Sequence, residues 1–352
     1  GDTCSGLTSV EIKTAGRSPL RQRGQIRWAE QMFKPEMAIS KGFVSVDQPS
    51  AFEFFERFPD EKSAREYIES ARWPGGIRCV HCGNAEVYKI RDGEIYTCKD
   101  CRKQFTIRTG TVMEGSHIPV RKWLYAMYLM NVSRKGISSV QLAKELGVTQ
   151  KSAWFLLGRL REACRLEGQV GGVVEADETF IGGKEKNKHE SKKLRAGRGT
   201  VGKSVVFGVR SRNGEFRATV VPGTDGRSIN DAVSSHVVRG SKLYTDEHPS
   251  YRSVAGYRHE AVNHGGKVYV VGDVHTNGVE SAWALLKRGW YGIYHHWSKK
   301  HESRYVDECV FRLNTKDLPA LSVTERTCGI NAVRLLVAGM IGKRLTYRGL
   351  TA

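Results

Sequence analysis

The sequence predicts a multidomain chain: a cysteine-bearing ribbon, an all-α segment, and an α/β domain built on a mixed sheet. Three observations lead there. Two Cys-x-x-Cys pairs stand at Cys79/Cys82 and Cys98/Cys101, residues 117–166 carry a sustained helical pattern, and beyond "GQVGG" (168–172) short apolar strands alternate with helices. With 352 residues, there is room for two or three domains and at least one well-buried core.

Composition narrows the partner. The 56 Lys+Arg against 37 Asp+Glu leave a net charge of +19. An excess of that size points to a polyanion, and nucleic acid is the commonest one. No stretch approaches the ~20 apolar residues of a membrane span, and no charged-then-apolar secretion signal opens the chain. Residues 1–45 are basic and read as a disordered or non-native extension. Of the eight cysteines, four are tightly paired and four scattered, which indicates a metal site in a reducing cytoplasm, not a disulfide framework.

The first element, within residues 46–76, is "AFEFFERFPDEKSAREYIESARW", a short amphipathic helical segment. Phe58-Pro59-Asp60 stops and restarts it, and "PGG" ends it. Residues 77–106 then read as a zinc ribbon. Two residues between thiolates let one tight turn offer both sulfurs to a tetrahedral ion, and fifteen residues between the pairs leave room for a hairpin. Four thiolates leave no open position for water, so one Zn²⁺ held by Cys79, Cys82, Cys98 and Cys101 is structural. His81, inside the first turn, reads as a bystander.

Residues 116–168 read as a helix-turn-helix. One helix runs from about Ser139 to Leu146 with Ser138 or Ser139 as its cap, Gly147 takes the turn, and a second helix starts near Gln150. That second helix would direct Gln150, Lys151 and Ser152 to the major groove; an ordinary helical hairpin is the plainer alternative.

Residues 171–316 open with "VVEADETFIGG", "SVVFGVRS" and "FRATVVPG" as strands, a helix over 228–238, and "KLYTDEH" as a fourth strand. Three antiparallel strands, a helix and a parallel strand are the opening order of a ribonuclease-H-like fold. Asp177 lies inside one apolar strand, where an ionised carboxylate is costly unless paired or bound to metal. Asp246 ends another such strand. Glu280 follows on a predicted helix, where three carboxylates could hold two Mg²⁺ or Mn²⁺ ions for in-line phosphoryl displacement. Turn and cap roles for these residues remain open at this point. If Asn277 is an N-cap, Glu280 completes a capping box. On a helix Lys287 lies within roughly 20° of Glu280, suited to a DNA phosphate, and Asn277 about 60° away. Glu308 stands as a fallback ligand.

The stretches "FPDEKSAREYIESARWPGGIRCVHCG", "VEADETFIGGKEKNKH", "LYTDEHPSY", "HTNGVESAWALLKRGWYGIYHHWSKKHESRYVDECVFRLN" and "GKRLTYRGL" resemble bacterial insertion-sequence transposases of the ISXO type, over roughly Phe52 to Leu350. The resemblance implies a zinc ribbon and helix-turn-helix that bind terminal inverted repeats of double-stranded DNA. It also implies a catalytic domain that cuts at the element's ends and joins the freed 3′-hydroxyls to target DNA. Asp177 and Asp246 match the two catalytic aspartates. The third position varies between Glu and Asn among related groups, so Glu280 and Asn277 both stand. Val80 departs from the Pro often found between the first cysteines, without consequence for zinc. Synapsis of two ends calls for a homodimer or higher oligomer. A DNA-binding regulator with an inactive third domain and a structure-selective nuclease are the competing functions.

Two basic stretches complete the reading. Lys184 to Lys203 holds eight Lys/Arg and two Glu, a solvated loop or a phosphate-neutralising one, with Lys184, Lys186, Lys188, Lys192, Lys193, Arg195 and Arg198 as candidate contacts. Arg288 joins them. The His-rich run with His295, His296 and His301 lacks a metal-binding spacing and suits DNA contacts or packing. Residues 317–352 read as a C-terminal tail.

Overall fold

Pro59 divides the first helical stretch in two. Helix α1 (Ala51–Arg57) starts in a capping box between Ser50 and Glu53, and α2 (Glu61–Arg72) in another between Asp60 and Ser63. The computed structural model describes residues 49–183, 185–194, 199–262, 273–316 and 331–351. The expected N-terminal extension lies outside these, as do Lys184, Arg195, Arg198 and the side chains of Lys186 and Lys192. Among the described residues no helix is long and apolar enough to cross a membrane.

The ribbon is a three-stranded antiparallel sheet of β1 (Val87–Ile90), β2 (Ile95–Cys98) and β3 (Gln104–Phe105). Gly83, at φ 85°, closes the first cysteine turn, and its N–H donates to the Cys79 carbonyl at 2.9 Å. Helices α3 (Val120–Val132), α4 (Ser139–Leu146) and α5 (Gln150–Ala163) follow. Ser138 caps α4, Gly147 ends it in the left-handed conformation at φ 58°, and Thr149 caps α5. Gly147 has the backbone freedom this turn demands.

Phe54, Ile68, Tyr96, Trp123, Leu142 and Leu157 belong to one buried cluster, so the ribbon and the helices share a core. The stretch 317–352, expected as a tail, contributes to it. Its helix α9 (Ala332–Met340) buries Val333, Leu336 and Met340 in that cluster. The short α10 (Tyr347–Thr351) rests on α5.

A second sheet follows, of β4 (Val173–Ile181), β5 (Ser204–Ser211), β6 (Phe216–Val221), β7 (Lys242–Asp246) and β8 (Arg258–Val262). Its order is β6-β5-β4-β7-β8, antiparallel from β6 through β4 and parallel from β4 through β8. Helix α6 (Gly226–His236) joins β6 to β7 and buries Ile229 and Val233 against Val174, Ala176 and Phe207. On the opposite face, α7 (Asn277–Gly289) and α8 (Glu302–Thr315) bury Trp283, Leu286 and Val310 against Val206 and Phe216. The period of two along β4 thus turns Val174 and Ala176 toward α6, and Glu175 and Asp177 toward α7.

Candidate active site

Asp177 sits mid-strand on β4, partly buried, opposite Gly208 of β5. Trp283 of α7 lies over that pair and donates its indole N–H to Asp177 Oδ2 at 3.0 Å. A Cβ on Gly208 would collide with the Trp283 ring, so glycine here lets the indole reach the carboxylate. The parallel pairing ends with Glu175 opposite Tyr244, so Asp177 and Asp246 each lie two residues past it, at the same end of neighbouring strands. Asp246 Oδ1 accepts from the backbone N–H of His248 at 3.0 Å.

The electrostatics register this crowding. Burial, reinforced by the negative charges of Asp246 and Glu280, pushes the Asp177 carboxyl up to about 6 against the pull of its hydrogen bonds. Glu178, on the α6 face beside Tyr251, is pushed up to about 7 by burial and then by Asp177 and Asp246.

Glu280 is carried by α7, whose N-terminus is fastened to the sheet by Glu175. That carboxylate is 2 % exposed. It accepts from the Val279 N–H at 2.9 Å and pairs with Arg212 at 3.1 Å and His275 at 3.4 Å. Gly278 passes so close that a Cβ there would lie 2.7 Å from Glu175 Oε2. Arg210 adds bonds to the Gly278 carbonyl and to Ser281 Oγ, each at 2.8 Å. The sequence reading missed Glu175. Its signal was its place two residues before Asp177, on the same face of an apolar strand.

The capping box considered for Asn277 and Glu280 does not form. Thr276 precedes the helix, Asn277 is its first residue with an exposed side chain, and the Thr276 hydroxyl donates to Glu280 Oε1 at 3.0 Å. Glu280, Lys287 and Arg288 are exposed along the helix. Glu308, the fallback ligand, is instead fully buried, bound by Arg161 at 2.7 Å and Tyr294 at 2.6 Å. That pairing leaves it no part in a cation site.

At the ribbon, Cys79 and Cys101 sulfurs lie 3.6 Å apart and those of Cys82 and Cys98 3.5 Å apart. Those spacings approach the ~3.8 Å edge of a tetrahedron with 2.3 Å zinc–sulfur bonds. Among the described residues, these four form the only set of three or more candidate ligands whose atoms all lie within 4.8 Å of one another. They make a structural zinc site. Asp177, Asp246 and Glu280 stand further apart than that, but their hard oxygen donors suit Mg²⁺ or Mn²⁺.

The remaining candidates lie elsewhere. Gln150 is exposed and donates to Ser139 Oγ at 2.8 Å, Lys151 sits 4.8 Å from the Tyr347 ring centroid, and Ser152 bonds Thr149. In the basic loop, Lys188 pairs with Glu185 at 2.5 Å and Lys193 with Glu190 at 2.6 Å, which neutralises part of its charge internally. His301 packs edge-on to Trp154.

Residues 169–314 match the ISXO2-like transposase domain, and residues 59–104 the transposase zinc-ribbon domain. An uncharacterised protein in transposable element ISH50 of Halobacterium salinarum is 30% identical over 267 residues, covering 71% of this chain and 89% of that protein. A cryo-EM structure of a simian T-cell lymphotropic virus intasome in complex with PP2A regulatory subunit B56 gamma aligns at 14% identity. The alignment covers 57% of this chain and 68% of that one at a TM-score of 0.25, too distant a likeness to carry an argument.

Proposed function

The chain belongs to the ISXO2-like, IS1595-family transposases, and from that premise we propose that it binds its element's terminal inverted repeats and catalyses both strand cleavage and strand transfer. Asp177, Asp246 and Glu280 are the proposed ligands of two Mg²⁺ or Mn²⁺ ions. When bound, such ions would activate the attacking water or 3′-hydroxyl and stabilise the leaving oxygen. The supporting observation is that Asp177 and Asp246 lie at the same end of neighbouring parallel strands, with Glu280 on the helix packed over that face of the sheet. Burial chiefly raises the Asp177 carboxyl and the charges of Asp246 and Glu280 add to it, so a bound cation would relieve both.

The chain's own residues supply the positioning. Trp283 holds one oxygen of Asp177 and so fixes the orientation of the carboxylate. Glu175 and Arg210 fix the start of α7, and Lys287 and Arg288 further along it offer charge to the DNA backbone. Glu280 is preferred over Asn277 because a carboxylate binds a divalent ion better than an amide and because Glu280 faces Asp177 electrostatically. The sheet order supports a ribonuclease-H-like classification of residues 171–316. Helices α4 and α5, joined through Gly147, support a helix-turn-helix with Gln150, Lys151 and Ser152 toward the major groove. The ribbon and the basic loop add contacts to the same duplex, in a homodimer or higher assembly.

The test is incubation with Mg²⁺ and end-labelled terminal repeats. Cleavage followed by joining, both lost in Asp177→Asn and Asp246→Asn, supports the reading. Cleavage without joining would identify a nuclease, and binding without cleavage a regulator.

A further inference from the structure

Helix α7 carries more than Glu280 on its exposed stripe. At about 100° per residue, Lys287 and Tyr291 fall within about 20° of Glu280 on either side. Glu280, Lys287, Arg288 and Tyr291 are all exposed. The helix continues past Gly289 as a π-turn over Trp290–Tyr294, so Tyr291 stands only two residues beyond the regular α-turns. From Ser281 to His301 the chain has no acidic residue. Neither Lys287 nor Arg288 has an ion-pair or hydrogen-bond partner among the described residues.

Tyr291 is unusual among these side chains. It is 56% exposed, yet its ring is braced edge-on by the buried Trp290 at 4.7 Å, and Trp290 meets Trp297 at 6.2 Å. A large exposed aromatic face near two cations that have no partner among the described residues suits a partner that is both flat and anionic. A nucleotide is that partner, and base–aromatic stacking tolerates any sequence. A base inside intact duplex has both faces covered, so only an unpaired one can stack on this ring.

We propose that Tyr291 is a stacking platform for an unpaired base near the element's end, with Lys287 and Arg288 holding the phosphates between it and Glu280. This rests on the transposase reading. Eleven residues of helical rise separate Glu280 from Tyr291, about 16 Å. That is the length of roughly five stacked nucleotides at 3.4 Å each. The base in question therefore lies within about five nucleotides of the phosphodiester to be cut.

The experiment places 2-aminopurine singly at each of the first six positions from the cleavage point and binds these ends to the full-length protein in Ca²⁺. Wild type should quench one position within about five nucleotides. Tyr291→Ala should lose that quenching and bind frayed ends roughly five- to hundred-fold more weakly, while its affinity for fully paired ends stays within twofold. Tyr291→Trp should restore the quenching. Unchanged quenching in Tyr291→Ala, or an equal loss on frayed and paired ends, overturns the proposal alone. Failure of the wild type to bind any of these DNAs overturns the transposase reading and this inference with it.

Discussion

Replacing Glu175 with Gln changes a single charge at the point where α7 is fastened to β4. The amide keeps the volume and one oxygen, so the Val279 N–H, now 2.9 Å from the carboxylate, still has an acceptor. What disappears is the negative charge facing Arg212 at 3.1 Å and His275 at 3.4 Å. Hydrogen bonds to a charged group contribute about 1.5–3 kcal/mol. Because the Arg212 side chain is 33% exposed, water recovers part of that, and the lower figure applies, about 1.5 kcal/mol. For a chain of this size that lowers Tm by roughly 2 °C. Activity should fall further than stability. A catalytic group misplaced by ~1 Å can cost on the order of 100-fold in rate, and Glu280 hangs from the turn that Glu175 holds. The assay is single-turnover cleavage of labelled ends at saturating Mg²⁺, alongside DNA affinity and Tm. Glu175→Gln should cut slowly, bind DNA normally and retain zinc. Wild-type cleavage with an unshifted Tm would refute the fastening role.

Three further outcomes follow from the same geometry. The Asp177 carboxyl, raised from 3.8 to about 6 chiefly by burial, contributes stability that is complete below pH 3.8 and lost as pH rises through about 6. In metal-free protein Asp177→Asn should therefore raise Tm at pH 8, by the equivalent of at most about 3 kcal/mol, and leave it unchanged at pH 3.5; a gain of equal size at both pH values would contradict the linkage. Gly208→Ala should force Trp283 off Asp177 and cost about 1–3 kcal/mol by overpacking, with cleavage reduced at least tenfold and DNA affinity retained. Unaltered cleavage would show that the indole contact is dispensable. Zinc removal by a chelator should expose α2 and α3 as well as the ribbon, because Cys79, Cys98 and Phe105 share a core with Trp123 and Ile68. Hydrogen exchange confined to the ribbon would count against that shared core.

The parts legible in the sequence are those whose signals are local. Gly147 needs a left-handed backbone, and the helices on either side of it begin and end where Ser138, Gly147 and Thr149 place them. The cysteine spacing and the four apolar strands were equally local. Strand β8 was not, because Arg258–Val262 buries little and follows no alternation at the sheet edge. Glu175 and Glu308 draw their meaning from Val279 and Arg161, 104 and 147 residues away, which no periodicity reveals. Residues 332–340 looked like a tail because their apolar face matches α2, α3 and α5 only after folding. Glu280 was ambiguous for a narrower reason. Whether it completes a capping box depends on whether Asn277 precedes the helix or begins it, a one-residue matter that sequence leaves open.

The most direct test of the central claim compares Glu280→Gln with Asn277→Ala on labelled terminal repeats in Mg²⁺. Glu280→Gln should abolish cleavage and joining while shifting DNA in a gel as wild type does, and Asn277→Ala should cut at close to the wild-type rate. Near-normal cleavage by Glu280→Gln, with loss in Asn277→Ala, would contradict the proposed site and move the third ligand to the amide.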